Sequence, residues 1–566
     1  MKLNGARILC ESLLQEGVDT IFGYPGGVVI PLYDVFPEYP GLRHILVRHE
    51  QAAGHAAEGY ARATGKVGVC LATSGPGATN LVTAIADARM DSVPIVAITG
   101  QVPTTGIGRD FFQEIDITGI TLPITKHNYL VWNVTDLPRV IKEAFHIAST
   151  GRPGPVLIDI PKDVFVAEAP FRYPETIDLP GYKPTMVGNA RQIRQAISVI
   201  KEAKRPMILA GHGVVVSQAY DELKQFAEKT QVPVMVTLHG IGGFPCSHPL
   251  YFGMVGMHGH AHTNLAIHEA DLLIAAGMRF DDRVTGRLAT FAPHARIVHI
   301  DIDPAEISKN VKCTVPIVGD LKNVLAAMNQ EMPECEHREW IDKIEGWRAD
   351  RHEPPGALDD STGIPASMPI KEIYRRTREP AVIVSDVGQH QMWAAQAFAY
   401  DEPGTFISSG GLGTMGFCTP AAMGAKVGRP EATVWAIVGD GGFQMTIQEL
   451  ATLIESNIAI KIAIINNGYL GMVRQWQDLF YDKNYVATQL YQPDFVKIAE
   501  GYGIPARHVT KQRDVGPAID WALATSGPTL INFEVQREEN VFPMIPAGLG
   551  VADMVEGSQP KTLQLT

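Results

Sequence analysis

Short runs of aliphatic and β-branched residues recur along the chain, each breaking off at glycine or a polar residue and each flanked by stretches of helical periodicity. In the N-terminal third an amphipathic helix is followed by Ile21-Phe22-Gly23, Arg43 to Val47, Val67 to Ala72 and Val93 to Ile98. The middle third opens with a helical pattern over Gln192 to Ala203, continues into Met207 to Ala210, and carries another polar-ended run at Ile297 to Asp303. The last third has Val382 to Val384 running into Ser385-Asp386, then Val434 to Val438 and Ala459 to Ile465. Strands alternating with helices in this way predict an α/β protein. A Pro-, Tyr- and Thr-rich stretch at 170–190 and a proline-bearing, apolar-poor one at 349–368 read as linkers. They divide the chain into three doubly wound parallel-sheet domains, residues 1–180, 190–348 and 369–545, followed by a polar tail at 546–566.

The most informative unit is Val434 to Asn467, where one apolar strand empties into Gly439-Asp440-Gly441-Gly442 and a second ends in Asn466-Asn467. Thr446 and Glu449 stand at capping-box spacing ahead of the intervening helix. In a parallel unit the two strand ends lie side by side at the carboxyl edge of the sheet, so Asp440 and Asn467 are expected to meet there. The glycines let backbone approach a phosphate closely, and a carboxylate with an amide oxygen suits Mg²⁺ bridging a diphosphate. Taken singly, each piece is equally an Asp-Gly turn or a capping Asn. The spacing is more specific: 24 residues, 442 to 465, separate the Gly-Asp-Gly triplet from Asn466-Asn467. That arrangement resembles the thiamine diphosphate binding motif. Tyr24-Pro25-Gly26-Gly27 and Ser74-Gly75-Pro76-Gly77 likewise follow strands and precede helices, on one expected rim. Gly211-His212-Gly213 closes a strand of the middle domain but lacks the third glycine of a dinucleotide fingerprint.

Composition excludes several classes of function. A length of 566 residues fits three or four domains, each able to bury a core. A net charge of −13 without a basic block repels nucleic acid and anionic membranes. Cys10, Cys70, Cys246, Cys313, Cys335 and Cys418 show neither CxxC nor disulfide-framework spacing, which fits a reducing cytoplasm. The N-terminus carries Glu11 and Glu16 and no sustained apolar core, so no targeting peptide is expected, and no apolar run approaches membrane-spanning length.

Beyond the diphosphate motif, Arg48-His49-Glu50-Gln51, Thr73-Ser74-Gly75-Pro76-Gly77, Gln101-Val102-Pro103, Arg279-Phe280-Asp281-Asp282-Arg283 and Leu470 to Trp476 resemble the catalytic large subunits of acetohydroxyacid synthase, also called acetolactate synthase. The resemblance spans nearly all of residues 1–550. It implies a pyrimidine-binding, a central FAD-binding and a diphosphate-binding domain. It also implies a transferase that decarboxylates pyruvate on thiamine diphosphate and condenses the two-carbon unit with pyruvate or 2-ketobutyrate, a step of branched-chain amino-acid biosynthesis.

By this resemblance Glu50 is the carboxyl partner of the cofactor's aminopyrimidine, and it should sit in a dry pocket where it can share a proton. Read alone, a Glu at that strand-to-helix junction merely complements a helix N-terminus. Met415 is a core gap-filler by residue type. In the family this residue wedges the cofactor into a bent shape, and the carbonyl of Gly413 accepts from the pyrimidine amino group. Val387, Gly388, Gln389 and His390 match the second diphosphate loop, with Asp440 and Asn467 as Mg²⁺ ligands. Arg283 suits a substrate carboxylate, the plain alternative being an ion pair with Asp281 or Asp282. Trp476 lines the acceptor pocket in the family and otherwise reads as core. Gly27, Phe112, Gln113 and Lys162 match positions on the active-site rim. Gly416-Phe417-Cys418-Thr419-Pro420 departs from the family's usual Gly-Phe-Gly-Leu-Pro, which puts local backbone or pocket volume in question.

The resemblance carries FAD contacts onto Arg152, Gly211, Gly213, Thr237, Leu238, Gly256, Met257, His258, Arg279, Asp301, Ile302 and Asp320. His258, His260 and His262 alternate, but only His258 matches the flavin loop, and polar loop residues explain the others better than a transition metal. Expected partners are 2-keto acids, a second copy of the chain completing each site, and a small regulatory subunit. Glyoxylate carboligase and pyruvate oxidase share the fold, and a catalytically silent paralogue is a further alternative. The first lacks the activating glutamate, so Glu50 speaks against it.

Overall fold

The computed structural model describes residues 2–350, 359–378 and 380–557. Residues 351–358 of the second linker and 558–566 of the tail lie outside the described residues. The first third holds β1 (Lys2–Asn4), β2 (Thr20–Gly23), β3 (Arg43–Leu46), β4 (Gly68–Ala72), β5 (Ile95–Gln101), β6 (His127–Leu130), β7 (Val156–Pro161) and β8 (Glu168–Pro170). The middle holds β9 (Pro206–Ala210), β10 (Val234–Val236), β11 (Tyr251–Met254), β12 (Leu272–Ala276), β13 (Arg296–Asp301) and β14 (Val315–Val318). The last third holds β15 (Ala381–Ser385), β16 (Phe406–Ser408), β17 (Thr433–Gly439), β18 (Ile460–Asn466), β19 (Ala506–Val509) and β20 (Thr529–Glu534).

These strands build three six-stranded parallel sheets, and an antiparallel pair, β1 with β8, ties the start of the chain to the end of its first third. The first sheet runs β3-β2-β4-β5-β7-β6 and the third β16-β15-β17-β18-β20-β19, so the two share one winding. The middle sheet runs β11-β10-β9-β12-β13-β14, the order of dinucleotide-binding folds. Central strands are buried on both faces, which is why they read as unbroken apolar runs rather than alternating ones.

The first and third sheets are joined by two helices, Glu50–Thr64 and Cys418–Gly428. A Cβ at Gly59 would lie 2.0 Å from the Ala421 carbonyl oxygen, and one at Gly424 would lie 1.8 Å from that of Ala56. The helices therefore cross antiparallel with their backbones in contact. Arg62 extends the joint, donating to the Ser408 carbonyl at 2.7 Å.

One local expectation fails. Thr446 and Glu449 form no capping box: the helix splits into Asp440–Met445 and Leu450–Glu455, with a 3₁₀ turn at Ile447–Glu449 between them. The Thr446 hydroxyl is buried without a hydrogen-bond partner. The Glu449 carboxylate instead accepts from the Arg48 N–H at 3.1 and 3.2 Å and from the Thr452 hydroxyl at 2.7 Å. A contact with the other sheet thus overrides the local pattern.

Candidate active site

At the carboxyl edge of the third sheet, β17 and β18 pair in register and deliver Asp440 and Asn467 to one small cavity of about 60 Å³. Its lining includes Val387, Gly388, Gln389 and His390 from the loop after β15, Met415, and Gly439, Gly441 and Gly442. Asp440 is buried and accepts from the Gln492 side chain at 2.7 Å. Burial lifts its carboxyl to about 6, against the pull of Gln492 and the Asp440 and Asn467 backbone N–H groups. The Asn467 side-chain oxygen accepts from the Tyr469 N–H at 3.0 Å, and its nitrogen faces Gln389 at 3.4 Å.

Several features fit a diphosphate with a hard cation. His390 is buried, with Nε2 lacking a partner, and burial holds its ring down to about 4. The Gln492 side-chain oxygen is also buried and unpartnered. Asp440 and Asn467 supply oxygen donors of the type Mg²⁺ prefers. The glycine wall is tight: a Cβ at Gly442 would lie 1.8 Å from Asp386 Oδ2. Asp386 is fully buried, raised to about 6 by that burial, and accepts the Gly416 N–H through both oxygens at 3.0 Å. It thereby fixes the turn that presents Met415, in which Gly413 and Gly416 have φ of 75° and 86°.

A larger cavity of about 640 Å³ opens beside it and brings Met415, Gly413 and Gly388 together with Trp476, Met472 and Val473. The last three lie on the helix Gly471–Phe480, and the Trp476 ring stands edge-on to Phe480 at 5.6 Å. Trp476 is thus a cavity residue, half-buried rather than core. Arg283 lines the opposite wall, with Nη1 3.3 Å from Met257 Sδ and only a loose 3.8 Å approach to Asp282. Cys418 lines neither cavity. It lies in the core, with Sγ 3.1 Å from the Val384 carbonyl oxygen, so the departure from glycine changes the seam beneath the sheet and not the pocket.

The large cavity shares Thr237, His239, Arg279, Asp281 and Val284 with a third one of about 350 Å³ on the middle sheet. Arg152, Gly213, Thr237, Arg279, Asp301, Ile302 and Asp320 line that third cavity, while Leu238, Met257 and His258 line the larger one. Gly211 and Gly256 line neither. A Cβ at Gly211 would lie 2.3 Å from the Gly277 carbonyl oxygen, and one at Gly256 would lie 2.5 Å from that of Arg283, so both serve close backbone approach. Two joined cavities at the carboxyl edge of a sheet wound this way suit a dinucleotide. Arg152 is held by Glu306 at 2.7 Å and Asp303 at 3.3 Å, and burial raises Asp301 to about 6.

Glu50 begins its helix, is 8% exposed, and accepts from the Asn80 side chain at 2.8 Å through Oε2. A Cβ at Gly77 would lie 3.2 Å from Glu50 Oε1, which places the Ser74 to Gly77 turn beside that oxygen. The other glycine loop joins it on the same rim, a Cβ at Gly26 meeting Thr73 at 2.4 Å. Glu50 lines none of the three cavities. Gly27 and Lys162 are exposed, Phe112 is 88% exposed, and Gln113 packs on Gly75 with φ of 63°. One chain therefore does not bring these residues to Met415 or Trp476.

Sequence reasoning missed Asn80, Gln492 and the clasping role of Asp386. Gln492 lies in an irregular stretch without periodicity, and nothing local announces its contact with Asp440. Among the described residues, the only His and carboxylate group compact enough to hold a metal is His55, Glu58 and Asp87. Burial pushes the Glu58 carboxyl well up and that of Asp87 up to about 8, and the His55 ring bonds Glu58 at 2.9 Å. His258, His260 and His262 are each engaged by backbone, of Pro543, Met254 and Phe252 respectively.

A glycine and carboxylate cradle on one sheet, with a buried glutamate on a second sheet of the same winding, defines a thiamine diphosphate enzyme. Family models agree, matching the N-terminal TPP binding domain of thiamine pyrophosphate enzymes over 3–120, their central domain over 193–328 and their C-terminal TPP binding domain over 386–533. Within that class the chain belongs to the acetolactate synthase large-subunit family. It is 51% identical over 566 residues to the acetolactate synthase large subunit of Corynebacterium glutamicum, covering 98% of this chain and 90% of that protein. It is 45% identical to the acetolactate synthase isozyme 2 large subunit of Escherichia coli K12, covering 98% and 100%. Against the probable acetolactate synthase large subunit of Methanocaldococcus jannaschii it is 47% identical, covering 98% and 95%.

Proposed function

We propose that the protein joins two 2-keto acids with loss of CO₂, giving acetolactate from pyruvate alone and acetohydroxybutyrate when 2-ketobutyrate is the acceptor. Thiamine diphosphate supplies, when bound, a carbon nucleophile for the keto carbon and a sink for the electron pair that CO₂ leaves behind. Asp440 and Asn467 hold Mg²⁺ against its diphosphate, and Gln389 and His390 face the same group. Glu50, held through Oε2 by Asn80, would offer its free oxygen as the proton partner of the pyrimidine, and Met415 would shape the pocket floor. Arg283 orients the acceptor carboxylate, and Trp476 takes up its alkyl end. The observation that carries this reading is the single cavity in which Met415, Arg283 and Trp476 meet.

FAD is the group best suited to the joined cavities of the middle sheet, with no redox step asked of it. A homodimer follows from the separation of Glu50 from Asp440: the rim bearing Glu50, Gly27, Phe112, Gln113 and Lys162 faces the cradle of a second copy, and the exposure of Phe112 supports that use. The relatives named as large subunits support a small regulatory subunit. Among the described residues no helix is long and apolar enough to cross a membrane, and the six cysteines are free.

The test is product analysis with pyruvate and 2-ketobutyrate together, omitting thiamine diphosphate, Mg²⁺ and FAD in turn. Both acetohydroxy acids are expected with the full set, and none without thiamine diphosphate. Stoichiometric bleaching of flavin by pyruvate without acetolactate would instead identify an oxidase. Absence of CO₂ release would identify a silent paralogue.

A further inference from the structure

Gln475 lies on the acceptor helix next to Trp476, fully buried, with its side chain turned away from the cavity that Trp476 lines. Its oxygen accepts from Gln389 Nε2 at 2.9 Å and from the Val541 N–H at 2.9 Å, and its nitrogen donates to the Val541 carbonyl at 3.1 Å. Gln389 also donates to the Glu539 carbonyl at 3.1 Å and faces Asn467. One side chain thus clasps the diphosphate loop, the acceptor helix and the segment 538–545.

That segment continues to the far wall of the same cavity. His258 Nδ1 meets the Pro543 carbonyl at 3.3 Å, and the Ile545 N–H donates to the Met257 carbonyl at 2.8 Å. The Met257 N–H in turn donates to the Arg283 carbonyl at 2.7 Å. A path of hydrogen bonds and covalent chain therefore runs from Gln475 to Val541, along the backbone to Ile545, and on to Met257 and Arg283. Trp476 stands at one end and Arg283 at the other.

We propose that Gln475 is a positioning residue that sets the spacing between the two walls of the acceptor pocket, and so acts on the choice of the second keto acid more than on the first decarboxylation. This rests on the carboligase reading of the site. Losing the clasp frees the segment 538–545 and lets Arg283 drift from Trp476, which costs most where one methylene is being distinguished.

The test compares wild type with Gln475→Met, which keeps length without hydrogen bonds, and Gln475→Glu, whose protonated carboxyl offers the same acceptor and donor. In holoenzyme, Gln475→Met should lower the 2-ketobutyrate to pyruvate product ratio by about three-fold or more. It should also raise the acceptor KM, with single-turnover CO₂ release at saturating thiamine diphosphate and Mg²⁺ falling by a smaller factor than the product ratio. Gln475→Glu should recover the wild-type ratio as pH falls and lose it as pH rises. Independently of activity, limited proteolysis should cut Gln475→Met within 538–557 faster than wild type in the presence of thiamine diphosphate, Mg²⁺ and FAD. An unchanged ratio with equal proteolysis overturns the proposal. So does an equal fall in both half-reactions with no pH-dependent rescue. If wild type makes no acetohydroxy acid, the functional reading fails, and the proteolysis contrast alone decides whether the clasp exists.

Discussion

Replacing Gly442 by alanine tests the diphosphate cradle at its tightest point. The added Cβ would lie 1.8 Å from Asp386 Oδ2 and 2.9 Å from its Cγ, so the carboxylate must move by roughly 1.5 Å to reach an ordinary C···O contact near 3.3 Å. Asp386 is fully buried. Moving it leaves the Gly416 N–H, now held at 3.0 Å by both oxygens, without an acceptor. Overpacking costs about 1–3 kcal/mol and the orphaned donor about 1–3 kcal/mol. The sum, about 2–6 kcal/mol, falls on the turn that carries Met415. Thiamine diphosphate affinity with Mg²⁺ should drop by about 30-fold or more, since 1.4 kcal/mol is ten-fold. The melting temperature of the cofactor-free protein should fall as well. Gly441→Ala is the milder comparison: its Cβ meets the tips of Leu470 and Leu490 at 2.9 and 3.0 Å, which can swing aside, and Met415 Cε at 3.5 Å, so its melting temperature should fall less. Isothermal titration and thermal melts on both variants decide the matter. Normal affinity in Gly442→Ala refutes the cradle, and an equal fall in melting temperature in Gly441→Ala refutes the clash with Asp386 as its cause.

Glu50→Gln should slow exchange of the thiazolium C2 proton by about 10²- to 10⁴-fold, read by deuterium exchange, with thiamine diphosphate still bound; unchanged exchange removes Glu50 from activation. Trp476→Leu should cut the preference for 2-ketobutyrate by roughly ten-fold in competition assays; an unaltered product ratio returns the indole to a packing role. Asp159, buried and bonded to Thr99 and Gln101 at 2.7 and 2.9 Å, is raised by burial from 3.8 to about 7. Between those values the folded chain keeps a proton that the unfolded chain has lost, so this group's contribution to stability falls as pH rises, by about 4 kcal/mol in all. Asp159→Asn should therefore gain on wild type by a few degrees of Tm between pH 4 and pH 7; a constant gap would refute the buried proton.

The parts of the site legible in the sequence are those carried by spacing along one element. Asp440 and Asn467 end adjacent parallel strands, and the count between them announces their meeting. The glycine turns follow apolar runs and therefore sit at strand ends on one rim. What escaped was set by contacts distant in sequence. Glu449 forms no capping box because an N–H 401 residues away claims it, and Gln492, in the irregular stretch after Phe480, reaches Asp440 from 52 residues away. The separation of Glu50 from Met415 has no signature in either segment. It follows from how two sheets of like winding lean on a common helix pair.

That helix pair has a mechanical consequence. Where Gly59 meets Ala421 and Gly424 meets Ala56, no side chain lies between the backbones to deform under load, so the pair behaves as a stiff strut. Its antiparallel crossing puts Glu50 toward one end and the Met415 turn toward the other. In a pair of chains each strut would span two reaction centres, fixing the distance between them. Movement during turnover would then be taken up elsewhere, by the middle domain, whose residues line the two joined cavities without belonging to the strut.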